Sequence, residues 1–475
     1  KHQKVFHGNV VVPICNPFSA EARENTNLRK DVRLLGPGLE LRVNHVLVVS
    51  LDGFVDRFAH EDEMQDVLSN ITDGNVTYFR LDPRYEFLVP GFIDLHVHAP
   101  QFAYTGTATD RPLMGSDGWL ETYTFPAEAS LGTNLKKAHE VYESLIRTTL
   151  DAGTTTAVYF ATLHLEPCRV LVDMCVSLGQ RALVGKVCMD RFSPTPHYCH
   201  SAEENIRDTK LLIEYTRQSC PKTEGKLPLV SPIVTPRFIP TCSPALMSAL
   251  GKVAKEYGCH VQSHISESVD EVEFSKHLDS DEGNGGRSDA EVFDSHQLLT
   301  DRCIMAHAIY LSESDMDLME KNGSAVAHCP LSNFYFAGGS LACVHLLLRG
   351  IKVGLGTDVA GGYSPSMMNS ARMAVLASRA AKYQSQDSEQ PIPDLDYRHA
   401  FYLATLGGAE ALGWEQAVGT FRVGMCFDAL VLSAKQKSPI SIFDTDKIDD
   451  VFQKLCTLGD DRNVKSVFVA GRSVK

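Results

Sequence analysis

No Cys-x-x-Cys pair occurs anywhere in this 475-residue sequence, although it holds 13 cysteines. Single thiols, scattered and odd in number, argue against a disulfide framework and fit the reduced cysteines of a cytoplasmic protein. The absence of P-C-x-x-C also removes the zinc site built from that motif and H-x-E. A basic excess is equally lacking: 45 Lys and Arg stand against 59 Asp and Glu, a net charge of -14. That balance repels phosphate backbones and anionic lipid, so neither nucleic acid nor a membrane is an expected partner. Apolar runs are short, none approaching the roughly 18 residues of a membrane helix. The opening KHQKVFHGNV has no signal-peptide core. No glycine-rich phosphate loop follows any predicted strand, which disfavours a doubly wound nucleotide-binding sheet.

What is present is a composition of 44% hydrophobic residues, enough to bury a large core. Up to Leu88 the chain reads as short strands (VFHGNVVVPI, VNHVLVVSLDG, VTYFRLDP), with no periodicity of helix length except from Glu61 to Ser69. FDALVLSA and VKSVFVAGRSVK, near the other end, have the same texture. The middle alternates instead. After the strand that ends at His98 come TTTAVYF (154–160), RALVGKVCMD (181–190), LVSPIVTPRF (229–238), CHVQSHISE (259–267), CIMAHA (303–308), SAVAHCP (324–330) and VGLGTD (353–358). Helical patterns lie between them at 135–151, 167–178, 203–218, 244–257, 312–321 and 341–349. Strand–helix alternation predicts an α/β fold, a distorted (β/α)8 TIM-type barrel over residues 89–414. The two β-rich ends, 1–88 and 415–475, are expected to build one small β-sandwich domain.

The stretch PGFIDLHVHAPQ (90–101) places two histidines at i and i+2. On a strand, His96 and His98 therefore share a face, with Asp94 behind them, and can grip one metal ion. A lone His-x-His is expected by chance on the order of once in a chain with this histidine content, so position must carry the reading. Barrel enzymes gather their functional groups at the C-terminal ends of the strands. Those ends hold His96, His98, Arg237, Phe238, His264, Glu267, His307, His328 and Asp358. Three imidazoles and one carboxylate, His96, His98, His264 and Asp358, suit one Zn²⁺ per chain, or Fe²⁺, with a position left for water. Asp358 then accepts a proton from the activated water, Glu267 carries protons to the substrate as general acid/base, and His307 polarises the attacking oxygen.

The chain resembles the amidohydrolase superfamily, and within it those members that deaminate guanine. PGFIDLHVHAPQ, YTFPAE (123–128), TPRF (235–238), QSHISE (262–267), AHCP (327–330) and GLGTDVAGGYS (354–364) carry the resemblance over nearly the whole length. It implies hydrolysis of guanine to xanthine and ammonia, zinc on His96, His98, His264 and Asp358, and a homodimer. It also implies a purine pocket shaped by Gln101, Arg237 and Phe238 together with His98, His264, Glu267 and Asp358. The lysine that bridges two metals in relatives is missing from LVSPIVTPRF, so one metal is expected. Arg237 would recognise the C6 carbonyl of guanine and, facing adenine, be left unpaired at a cost of several kcal/mol.

MGSDG (114–118) is an insertion relative to that pattern. The Asp-, Gly- and Ser-rich stretch Asp279 to Ser288 reads as an exposed flexible loop. His197 and His200 read as surface residues, and His328 as a structural histidine at the barrel end. Two other readings compete: an aminohydrolase of the same scaffold acting on another purine, a pterin or a triazine, and a non-catalytic scaffold protein. The complete metal-ligand set speaks against the second.

Overall fold

Eight parallel strands succeed one another around a barrel: β1 (Phe92–His98), β2 (Thr154–Phe160), β3 (Arg181–Gly185), β4 (Val230–Pro236), β5 (His260–Ile265), β6 (Cys303–His307), β7 (Ala325–His328) and β8 (Lys352–Leu355). The computed structural model describes residues 3–24, 31–69, 76–107, 109–115, 117–193, 198–220, 227–384 and 393–475. Closure comes from the segment after β8, where Asp358 N–H donates to His96 O at 2.8 Å and His98 N–H donates to Val359 O at 3.0 Å. The strand that carries His96 and His98 is thereby fastened to the turn that carries Asp358. Gly91 opens β1 because nothing larger fits: a Cβ there would lie 2.1 Å from Thr155 Oγ1.

The helices that cover the barrel start and stop where their caps dictate. Leu135–Asp151 begins after Asn134, whose side chain accepts from Lys137 N–H, and Pro244–Tyr257 begins after Ser243 and ends at the left-handed Gly258. Both bounds agree with the periodicity. Val269–Asp281 was not legible in that way, for a physical reason. Its buried positions are Glu271, Ser275, Leu278 and Asp279, so three of the four residues on its inner face are polar and no apolar stripe exists. The expected flexible loop from Asp279 to Ser288 is corrected accordingly. Asp279 is buried within the helix and accepts from the Arg287 guanidinium at 2.8 Å, so the exposed part is confined to residues 280–285.

Strands from both sides of the barrel segment join one nine-stranded sheet. In it Glu86–Pro90 pairs antiparallel with Ala429–Ser433 and parallel with Gln3–Pro13. Phe6, Leu47, Phe427 and Phe468 belong to its own apolar core. A buried clasp ties this sheet to the barrel floor. Arg181, the first residue of β3, donates from Nε to Asp428 Oδ2 at 2.7 Å and from Nη2 to Oδ1 at 3.0 Å, and both side chains are almost fully enclosed. Removing one partner strands a buried charge. Asp428→Ala is therefore expected to cost about 3–5 kcal/mol of stability, read as a lower urea midpoint, and an unchanged midpoint would show that the clasp contributes nothing. Among the described residues no helix is long and apolar enough to cross a membrane.

Candidate active site and metal centre

At the C-terminal mouth of the barrel the ends of β1, β5 and β6 and the turn after β8 converge. His98 Nε2 lies 3.1 Å from His264 Nε2, and Asp358 Oδ1 lies 3.2 Å from His96 Nε2 and 3.5 Å from His98 Nε2. The tautomer of His264 follows from its other nitrogen. Nδ1 sits 2.6 Å from the Arg237 carbonyl oxygen, which only accepts, so Nδ1 carries the proton and Nε2 presents a lone pair. His96 Nε2 is buried with no hydrogen-bond partner. Buried lone pairs turned on one another are unfavourable unless a cation lies among them. Tetrahedral ligation at about 2.0–2.1 Å places nitrogens about 3.3 Å apart, close to the separation seen here. His96, His98 and His264 form one group able to hold a metal ion, and His96, His307 and Asp358 a second that overlaps it.

The backbone here is strained where function would place strain. Ser266, His307 and Asp358 all adopt positive φ (46°, 71° and 48°), which turns the chain sharply at the strand ends. Gly361 admits Asp358: a Cβ on it would come within 2.9 Å of Asp358 Oδ2. Burial opposes ionisation of Asp358, yet the neighbouring His96, His307 and His98 hold its carboxyl well below the usual range. Burial raises the Glu267 carboxyl, partly offset by His307. His307 is raised despite burial, because Glu267 and Asp358 favour its charged form. Its Nε2 lies 3.6 Å from Glu267 Oε1 and 3.8 Å from Asp358 Oδ2, while Nδ1 meets Asn333 Oδ1 at 2.9 Å. Asp94, behind the metal-binding face, accepts from Thr357 Oγ1 at 2.6 Å, and burial pushes its carboxyl up to about 7.

One cavity is lined by His98, Gln101, Arg237, Phe238, His264, Glu267, His307 and Asp358, so these expected residues share a single space. His96 stands just behind it, 1% exposed. Leu113, Trp119, Leu120, Ser332 and Phe336 complete the wall. A pair of backbone hydrogen bonds joins the residues on either side of the insertion, Trp119 N–H to Pro112 O at 2.8 Å and Leu120 N–H to Leu113 O at 3.2 Å. It thereby delivers Trp119 to the pocket, its ring 4.8 Å from that of Phe336 and its indole N–H buried without a partner. Phe160, at the end of β2, packs its ring against His96, His98 and His264 at 4.7–4.9 Å. Trp119 and Phe160 gave no chemical signal in sequence, since apolar rings at strand ends and in loops are usually core.

Arg237 is neither a free guanidinium nor a rim charge. It is 2% exposed and donates to Glu128 from Nη1 at 2.7 Å and from Nη2 at 3.2 Å. The expectation that adenine would leave it unpaired is corrected, because Glu128 satisfies it before any ligand arrives. Glu128 belongs to YTFPAE, a motif that marked the resemblance without a role for its carboxylate. His328 is buried and outside the metal-holding groups. His200 is half-buried, its ring 5.6 Å from that of His164 and its Nδ1 enclosed, so it is not a surface residue. His197 lies outside the described residues.

Comparison with known proteins adds an independent line. A model described as the amidohydrolase family matches residues 87–474. Guanine deaminase of Homo sapiens is 40% identical over 441 residues, spanning 92% of this chain and 93% of that protein. Guanine deaminase of Escherichia coli (strain K12) is 32% identical over 397 residues, 83% of this chain and 84% of that one. The crystal structure of guanine deaminase from C. acetobutylicum with bound guanine in the active site superposes with a TM-score of 0.83 at 29% identity, over 100% of both chains.

Proposed function

The chain belongs to the amidohydrolase family, among its guanine deaminases, and from that membership we propose how its own residues divide the work. The reaction is hydrolytic deamination of guanine to xanthine and ammonia. The observation that supports our assignment is the convergence of three imidazoles and Asp358 beside Glu267 and His307 in a single pocket. His96, His98, His264 and Asp358 would hold one Zn²⁺, and Fe²⁺ suits the same donors. Bound there, such an ion supplies a nucleophile at neutral pH by lowering the pKa of water from 15.7 to about 7.

Asp358, kept ionised by its histidine neighbours, takes a proton from the attacking water. Glu267, ionised at the outset, takes over that proton and delivers it to the ring nitrogen next to the amino-bearing carbon, then carries the proton of the newly added hydroxyl to the departing amino group, which leaves as ammonia. His307 donates from Nδ1 to Asn333 and so turns Nε2 inward, toward the oxygen that gains charge during attack. Phe238 covers a purine face, and Arg237 and Gln101 line the edge. Asp358 from the metal set and Glu267 outside it thus divide the proton movement, and the remaining pocket residues orient the purine.

We infer further that the protein works in the cytoplasm. None of its thirteen cysteines, all of which lie among the described residues, is joined in a disulfide, as expected of a reducing compartment. A homodimer is our reading from the family resemblance, and sedimentation tests it. The activity assay is ammonia release from guanine, adenine, cytosine and 8-oxoguanine. Guanine is expected to be the preferred base; turnover of another base with none of guanine would refute the assignment.

A further inference from the structure

Glu128 is completely buried and surrounded by donors. Oε2 accepts from Arg237 Nη1 at 2.7 Å and from the Tyr198 hydroxyl at 2.5 Å, and Oε1 accepts from Arg237 Nη2 at 3.2 Å and Gln101 Nε2 at 2.9 Å. Four donors saturate the two oxygens of one carboxylate. Tyr198 is fixed in turn, accepting Leu163 N–H at 3.0 Å, and the Gln101 carbonyl accepts Ala360 N–H at 3.3 Å. The guanidinium also lies over the Phe125 ring, 4.7 Å from its centre. Arg237 and Gln101, the two polar groups at the purine edge, therefore hang from a single carboxylate that does not itself line the cavity.

The electrostatic consequence is sharper than the geometric one. An unbalanced guanidinium in a dry pocket attracts anions, and purines that carry two or more carbonyl groups ionise readily. We propose that Glu128 is a positioning and charge-balancing residue. By neutralising Arg237 and fixing Gln101, it makes the pocket accept a neutral purine and disfavour purine anions. The proposal rests on the guanine reading and extends it to product release. Hydrolysis replaces the amino group by a carbonyl and adds an acidic ring N–H, so the product ionises more easily than the substrate. A neutral Arg237–Glu128 pair offers that anion no counter-charge.

The test is direct binding, measured by calorimetric titration of the metal-loaded enzyme with hypoxanthine, a neutral 6-oxopurine without the amino group, and urate, a purine anion at neutral pH. Neither is a substrate, and their difference in shape cancels when variants are compared. Glu128→Gln leaves Arg237 unbalanced and is expected to raise the urate-to-hypoxanthine affinity ratio about tenfold or more. Arg237→Gln leaves the opposite charge and is expected to lower that ratio by a similar factor. Shifts of opposite sign support the proposal, and one folded variant is enough to check its own sign. Weakened binding of both ligands with an unchanged ratio would mean that Glu128 merely packs, and would overturn it. Failure of the unaltered enzyme to bind either purine would bring down the guanine reading instead, and this proposal with it.

Discussion

Replacing Glu267 by Gln lowers kcat on guanine about 10³-fold and leaves the metal content of the protein unchanged. The substitution keeps size and one acceptor oxygen but removes the group that takes up and returns the proton. Glu267 stands 3.6 Å from His307 Nε2 and contributes to neither metal-holding group, so the ligands have no reason to move. Rate and pH dependence should change together. Protonated Glu267 cannot accept a proton, so activity falls as pH drops through its pKa. Burial raises that pKa above the ordinary 4.5, which places the acid limb of kcat/KM at higher pH than a solvated glutamate would give. In the Gln variant this limb should vanish. Ammonia release across pH, with metal analysis of the same preparations, checks both parts; unchanged turnover would remove Glu267 from the chemistry.

A larger loss is expected from His264→Ala. Its Nε2 is one of the inward-facing lone pairs, aimed by the bond from its Nδ1–H to the Arg237 carbonyl, and alanine offers no donor in its place. Lowering the pKa of water from 15.7 to about 7 multiplies the available hydroxide about 10⁸-fold, and the weaker basicity of that hydroxide returns part of the gain. Turnover should fall on the order of 10⁴-fold or more, with bound metal dropping toward zero by elemental analysis. Dialysis of the unaltered enzyme against a chelator should give the same loss, reversed by added Zn²⁺. Full metal occupancy and ordinary turnover in the variant would remove His264 from the ligand set.

The barrel was legible because apolar strands and amphipathic helices alternate with clear punctuation, as in TTTAVYF and in the helix that follows Asn134. The residues of the pocket were legible because they sit at strand ends, where a polar side chain is conspicuous against an apolar run. Glu128 was invisible for the opposite reason. It lies in a helix (Phe125–Thr133) far along the chain from Arg237, and a carboxylate on a helix normally reads as a solvated face. Only folding shows that four donors enclose it. The helix at 269–281 escaped for a related cause, since a buried face made of Glu271, Ser275 and Asp279 mimics an exposed one. Periodicity reports hydrophobicity and misses polar groups that are satisfied in pairs.

The pairing of Glu86–Pro90 with Ala429–Ser433 sets a schedule for the nascent chain. One strand leaves the ribosome about 340 residues before its neighbour. At 5–20 residues per second the earlier strand waits on the order of 20–70 s with an unclaimed edge, and Arg181 waits for Asp428 with its charge unmatched. A chain that ended between Val359 and Asp428 would therefore hold all eight barrel strands, yet leave Glu86–Pro90 with an unpaired edge and Arg181 without its counter-charge, a natural client for chaperones and proteases.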